Sequence, residues 1–577
     1  MQLEEAEKFL KGKGIQHPEL EVLKPSIDEY NVLLLQPKGD IEASKARVGH
    51  RDQILATNQC AKLLEWAADK QTELVVAPEY CVPWNALIQT ILAGHLPGAR
   101  CLWALGCECI TPADLDALEG RFKGKLRVIY EDFDRKAASK KVFLDPLAYI
   151  FHSKDDKGTD CLVLLVQFKT HPSVDPERVE GDNLFCGNLV YVFGTLGKTI
   201  RFFSLICSDA FEATADKLKG FIDRTMILHI QLNPDPRQST YRTYRKYLFD
   251  YAKYETELIC LNWASHVQEW KEDAGLKDWK NIGGTAWYLR PDKFDDSDQR
   301  VSTNHRAGLY YTRLKPMKWN VLFFNYEPAA FVLRASKVWH DESVPMVQSK
   351  RSGPRLQDVL RWAEGSAEWK SGTNSVDGFE KLLTPYDAMV EPLKKLYADN
   401  PIHVERLLAL TAGRISEPDN WYSVAELDSF AIDEAEHVKR ITFAQDPEQT
   451  SVKFRNECVN HFVNCRHLLD QFIDWPPELS DLANGYDFGW NKQHPHYNVV
   501  STTGKPATLV YLGENRSEED LSAVGGKLRT ALLRKDQPKN RLGIFHRFHG
   551  QPVLWLHPDL RRFDKPNNTS PTEFTGG

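Results

Sequence analysis

Between Tyr30 and Val338, short apolar runs alternate with longer mixed segments. Asn31–Gln36 reads as a strand, and His50–Lys70 then spaces Ile54, Ala61, Leu63, Leu64 and Ala67 as a helix does. Glu73–Ala77 is the next strand, and Leu102–Leu105, Leu147–Phe151, Cys161–Phe168, Val190–Phe193, Thr199–Ile206, Ile227–Leu232 and Leu258–Asn262 continue the series. Strands buried on both faces read as unbroken apolar runs, and these do. Their separation by helix-length segments predicts layers of sheet and helix, an α/β fold.

After Val338 the pattern changes. Ser-Gly breakers surround one predicted helix at Leu356–Lys370, and helical periodicity then dominates from Phe379 to Trp475, with a capping box at Ser423 and Glu426. Ala507–Leu512 reads as a strand, Glu518–Leu533 as a helix, and Leu542–Phe548 with Pro552–Leu556 as a hairpin turning at His549-Gly550. The stretch from Pro566 to Pro571 reads as a frayed tail. The expected organisation is an N-terminal extension (1–29), an α/β domain (30–338), a linker with one helix (339–378), a helical domain (379–490) and a small α/β segment (491–577).

Composition narrows the function classes. Of 577 residues, 42% are hydrophobic and 27% charged, an ordinary globular balance, and the net charge of −7 gives no global pull toward nucleic acid. Apolar runs stay strand-sized, far short of the roughly 18 residues of a membrane span. The acidic N-terminus lacks the basic and apolar regions of a signal peptide. Eleven cysteines are too sparse and irregular for a disulfide framework, so a reduced, cytoplasmic, soluble protein is expected.

Three residues close predicted strands. Glu79 ends one, Lys169 ends another, and Cys207 ends a third. Each has an ordinary explanation by itself: an ion-paired glutamate, a lysine snorkelling to solvent, a small buried hydrophobe. A strand end beside a sharp turn is also where α/β enzymes expose a nucleophile. The ordered set is more informative than its members.

In that order the segments resemble the nitrilase superfamily, the carbon–nitrogen hydrolases. Val75-Val76-Ala77-Pro78-Glu79-Tyr80 resembles the family's glutamate motif, Phe168-Lys169-Thr170-His171 its lysine motif, and Leu205-Ile206-Cys207-Ser208-Asp209 its cysteine motif. Val190–Gly197, Tyr251–Asn262 and Ile282–Leu289 resemble supporting segments, and Glu177 falls where many members carry an additional active-site glutamate. The likeness covers about residues 30–335 and says nothing about residues 340–577. It departs from the family in a long 90-residue interval between Glu79 and Lys169, and in Ser208 where an aromatic is common.

The resemblance implies an α-β-β-α sandwich, assembly into a homo-oligomer, and a small-molecule amide or nitrile as substrate. It assigns Glu79 as proton acceptor, Cys207 as nucleophile, and Lys169 with the Ser208 backbone N–H as oxyanion donors, with Glu177 positioning Lys169 or the substrate. No cofactor and no metal enter that chemistry. Amide hydrolysis leads, with nitrile or carbamoyl substrates and acyl transfer as alternatives. The alternative from another class is a regulatory or defence-type effector that uses such a domain for ligand binding or assembly, with an unknown partner for the C-terminal region. Residues after 340 lack a Ser-Gly-Gly-type pyrophosphate loop, which argues against the fused NAD synthetases.

Other signals are weaker. Gly194–Thr199 has two residues between its glycines where a phosphate loop needs four. Cys458, His461 and Cys465 share a helix face with metal-ligand chemistry, but no second cysteine pair follows and buried helix packing is the favoured reading. Arg237–Tyr247, basic and aromatic, is read as a loop and helix at the pocket rim rather than a nucleic-acid patch.

Overall fold

The apolar run ending at Gln36 is the strand Glu29–Gln36, buried along nearly its whole length because sheet lies on both sides of it. The computed structural model of the chain describes residues 1–138, 140–175, 177–236, 239–252, 255–264, 267–278, 284–290, 309–314, 319–339, 354–372, 382–399, 401–413, 450–490, 497–533 and 540–556. They fall into two compact units, one built mainly from residues 1–377 and the other mainly from 378 onward.

The first unit holds a nine-stranded sheet in the order Glu368–Ser371, Arg355–Ala363, Ala329–Ser336, Glu29–Gln36, Leu74–Val82, Leu102–Cys107, Pro146–Lys154, Asp160–Phe168 and Arg127–Tyr130. A six-stranded sheet runs Arg201–Ile206, Thr225–Ile230, Thr256–Leu261, Ala286–Arg290, Trp319–Phe324 and Leu309–Leu314, its first three strands parallel. Side chains bridge the two sheets: the Tyr149 ring meets Phe202, and Gln167 Nε2 donates to the Ser204 carbonyl at 2.9 Å. Helix Gln53–Asp69 lays Cys60, Leu63, Leu64 and Ala67 on the nine-stranded sheet against Val75, Trp103 and Leu105. Its start is fixed by Asp52, whose carboxylate accepts the Leu55 N–H at 2.9 Å. On the six-stranded sheet, helix Ser239–Tyr251 sets Tyr241 and Tyr244 against His229. The described mixture of helices and sheets is an α/β fold, and no helix among the described residues is long and apolar enough to cross a membrane.

Three expectations need correction. Residues 356–370 form no helix: Arg355–Ala363 and Glu368–Ser371 pair as a hairpin on the edge of the nine-stranded sheet, with Trp362 directly opposite Trp369. The pairing offered by Ala329–Ser336 outweighs local helical preference, and Gly365-Ser366 in mid-run supplies the turn. The first unit therefore continues past the boundary expected at 338. The first 29 residues, expected as an extension outside the α/β domain, belong to the first unit: Gln2–Glu5 pairs in parallel with Leu189–Val192, and Ala6 and Leu10 are buried.

In the second unit, helices Glu391–Asp399, Pro401–Thr411 and Thr450–Gln471 accompany a five-stranded sheet and helix Glu518–Leu533. Leu542–Phe548 and Gln551–Trp555 form the expected hairpin, and both turn residues, His549 and Gly550, have positive φ. Cys465 is buried, and His461 Nε2 donates to the Tyr511 carbonyl at 2.6 Å, so this helix face is spent on packing. The capping box at Ser423 and the tail from Pro566 lie outside the described residues.

Gly106 fixes the approach of two strands. A Cβ there would stand 2.0 Å from the Pro78 carbonyl oxygen and 2.8 Å from the Glu79 Cα, both backbone atoms that cannot swing aside. Gly106→Ala is expected to destabilise the first unit by about 3 kcal/mol or more, read by urea denaturation. At Gly120, where a Cβ meets nothing within 4 Å, the same substitution should be neutral or stabilising.

Candidate active site

Lys169 and Cys207 sit just past the ends of buried strands. Glu79, expected to close a strand, lies instead inside Leu74–Val82, where pairing with Leu102–Cys107 shifts register between Ala77 and Val82. Glu79, Lys169 and Cys207 are almost wholly shielded, at 1%, 0% and 4% exposure. Lys169 Nζ donates to Glu79 Oε1 at 2.6 Å, to Glu180 Oε1 at 2.8 Å and to Ser173 Oγ at 3.1 Å. Asp145 Oδ2 stands 3.7 Å from the same ammonium. Burial works against a charge on Lys169, but Glu180 and Glu79 outweigh it and hold the ammonium protonated well above its ordinary range.

Glu79 has a second donor in the Leu232 backbone N–H, and its own carbonyl accepts Trp263 Nε1 at 2.9 Å. Burial pushes its carboxyl above the ordinary value, against the pull of Lys169. The next residue, Tyr80, is buried with φ at 55°, a left-handed conformation uncommon for a residue with a side chain. Its hydroxyl donates to Glu180 Oε1 at 2.9 Å.

Cys207 is the second buried left-handed residue of the site, with φ at 41° where strand Arg201–Ile206 turns into the short helix Cys207–Phe211. Such strain at a strand-to-helix elbow lifts a nucleophile away from its sheet. Neutral His229, driven down to about 3 by burial, donates from Nε2 to the Cys207 carbonyl at 2.9 Å and pins the turn. Burial and the Glu79 carboxylate push the thiol well above its ordinary pKa. The resting side chain is therefore a neutral thiol, 3.5 Å from the Tyr241 hydroxyl.

Asp209 joins the lysine and cysteine segments. One carboxyl oxygen accepts Thr170 N, Thr170 Oγ1 and His171 N at 2.7, 2.8 and 3.1 Å, and the other accepts Ile206 N at 3.0 Å. Ser208 Oγ adds a bond to the His171 carbonyl at 2.6 Å. These bonds tie the turn after Lys169 to the elbow.

Glu177 is not part of this cluster. Its carboxylate pairs with Lys271 at 2.7 Å and is 37% exposed. The additional glutamate on Lys169 is Glu180, three residues further on, where helix Val179–Asn183 carries it inward. Asp145 was legible by the signal that marked Glu79, a carboxylate flanking a buried strand, here Pro146–Lys154. Tyr241 belongs to the basic and aromatic stretch read as a pocket rim, and it is buried against the thiol. Arg237 lies outside the described residues. A cavity of about 880 Å³ lined by Gln36, Asp40, His50, Arg361 and Trp362, among others, does not include Glu79, Lys169 or Cys207.

The cluster brings together a carboxylate able to take a proton, an ammonium beside it, and a thiol on a strained turn. Among the described residues, the group of side chains that could hold a metal is Glu79, Asp145 and Glu180, and the Lys169 ammonium already occupies their midst.

No protein-family model and no curated protein matches the chain. Similar solved structures include the glutamine-dependent NAD+ synthetase of Acinetobacter baumannii, 13% identical over 67% of this chain and 54% of that one, TM-score 0.25. XC1258 of Xanthomonas campestris, a CN-hydrolase superfamily protein, is 12% identical over 63% of this chain and 97% of that one, TM-score 0.26. A variant of an amidase from Nesterenkonia, of the nitrilase superfamily, is 15% identical over 46% of this chain and 84% of that one, TM-score 0.25. The chain thus spans about half the length of the synthetase. Likenesses at these TM-scores carry no argument, and the reading of the site rests on its own geometry.

Burial opposes the charge of Glu180, but Lys169 and the Ser173 donors outweigh it and hold the carboxyl below its ordinary value. A depressed carboxyl contributes stability that is complete above the unfolded value of about 4.3 and is lost as pH falls through the folded one. Glu180→Gln should thus cost about 3 kcal/mol near neutrality, and the gap from wild type should close in acid, measured by urea denaturation across pH.

Proposed function

We propose that this chain is a carbon–nitrogen hydrolase that cleaves a small-molecule amide through a Cys207 thioester, on a nitrilase-like α-β-β-α sandwich. The carrying observation is the convergence of Glu79 and Lys169, 2.6 Å apart and dry, on the strained Cys207 elbow. The helices on the outer faces of the two bridged sheets and the ordered sequence motifs support the same reading.

Because the resting thiol is neutral, its proton must leave as it attacks. Glu79 accepts that proton from Sγ while sulfur bonds to the carbonyl carbon and the carbonyl electron pair moves to oxygen. Lys169 Nζ and the Ser208 backbone N–H stabilise that oxygen, a contribution worth about 3–4 kcal/mol per donor in such sites. Glu79 then gives its proton to the leaving amine, and the carbon–nitrogen bond breaks. Water, deprotonated by Glu79, hydrolyses the thioester and releases the acid. Glu180 and Asp209 act through Lys169 and the elbow as positioning residues.

The test is untargeted mass spectrometry of a metabolite extract incubated with wild type or Cys207→Ala. A compound consumed by wild type alone, with the matching acid and amine appearing, is the expected result; identical extracts would contradict it. On the substrate so found, Glu79→Gln and Lys169→Met should each lower kcat/KM by about a hundredfold or more. The base must be ionised and its carboxyl is raised, so the acid limb of kcat/KM should lie above the ordinary glutamate value of about 4.3.

A further inference from the structure

Asp145 is a buried acid that this mechanism leaves unused. It precedes the strand Pro146–Lys154, is 1% exposed, and its backbone carbonyl accepts the Lys169 N–H at 2.9 Å. Ligand oxygens of Glu79, Asp145 and Glu180 lie within 4.8 Å of one another around one ammonium. Donors are shared unequally among them. Glu180 receives bonds from Lys169, Tyr80, Ser173 N and Ser173 Oγ, and Glu79 from Lys169 and Leu232 N. Neither carboxyl oxygen of Asp145 receives a hydrogen bond among the described residues.

Three ionised carboxylates and one ammonium would leave two uncompensated negative charges in a dry site, a cost no geometry here offsets. One proton must be held, and the carboxyl without donors is the one whose charged form is least supported. We propose that Asp145 serves the site as a neutral carboxylic acid, holding the proton that leaves Glu79 free to be the base. This rests on the reading of Glu79 given above. With Asp145 neutral, Lys169, Glu79 and Glu180 carry a net charge of −1. When Glu79 takes the thiol proton, the cluster becomes neutral and the substrate oxyanion carries the −1. Net charge in the dry site stays constant through the attack.

The surrounding groups agree. Glu79 and Tyr80 face Asp145 from one strand, Cys107 and Cys109 from the end of the next, and Lys169 and Glu180 from the lysine segment. Of these, Lys169 is the cation, and its closest bonds go to the other two carboxylates. Burial and the neighbouring Glu79 push the Asp145 carboxyl well above its ordinary value.

Infrared difference spectroscopy on the full chain at neutral pH tests this directly. Subtracting Asp145→Asn from wild type should reveal the C=O stretch of one protonated carboxylic acid, retained in Cys207→Ala and converted to carboxylate bands only in alkali. Labelling aspartate at the side-chain carboxyl carbon should shift that stretch in wild type, whether or not the variant folds. The amide of asparagine mimics a neutral acid, so the variant's Tm at neutral pH should equal or exceed that of wild type. Loss of carboxylate bands alone, or an acid band unmoved by the label and kept in Asp145→Asn, would overturn the proposal. Failure of the functional reading would show differently, as turnover unaffected by Cys207→Ala.

Discussion

A lysine ammonium with no access to water is the constraint around which the first unit is arranged. Removing such a charge from solvent costs several kcal/mol, and the cost is bearable only if anionic partners are held close and are themselves supported. Glu79 at 2.6 Å and Glu180 at 2.8 Å meet the first condition. The Leu232 amide on Glu79, and Tyr80 and Ser173 on Glu180, meet the second. None of these contacts survives unless the strand Leu74–Val82 meets the segments that follow Asp160–Phe168 and Thr225–Ile230, so the sheets, the Asp209 staple and the glycine contact at Gly106 all serve the same requirement.

The support is uneven, and the proposed chemistry follows from that unevenness. Four donors keep Glu180 ionised as a fixed counter-charge, while Glu79, with fewer donors and a raised carboxyl, can gain and lose a proton near the thiol. His229 is held as a neutral imidazole bonded to the Cys207 backbone, where it fixes the turn. Left-handed backbone at Tyr80 and Cys207, both buried, holds the two segments in conformations that only a tightly packed surrounding maintains.

Apolar runs in the sequence located most interior strands of the first unit to within a few residues, because burial on both faces leaves little freedom in composition. Glu79, Lys169 and Cys207 stood out for the complementary reason: polar groups are costly where those runs end. Glu180 was missed in favour of Glu177 because a five-residue helix decides which of two nearby glutamates points inward, and its local sequence carries no such signal. The hairpin at Arg355–Ser371 escaped notice because edge pairing, a nonlocal contact, overrode local periodicity. Tyr241 was visible as part of an aromatic stretch, but its place beside the thiol is set by helix packing on the second sheet.

The central claim is that Cys207 becomes covalently acylated, and intact-mass spectrometry of the full chain tests it most directly. The protein would be mixed with an amide that it consumes, quenched in acid within the turnover time, and weighed. The account predicts a mass gain equal to the acyl group, mapped by peptide digestion to Cys207 and absent from Cys207→Ala. Turnover that proceeds unimpaired in Cys207→Ala, or an acyl group carried on a different residue, would contradict it.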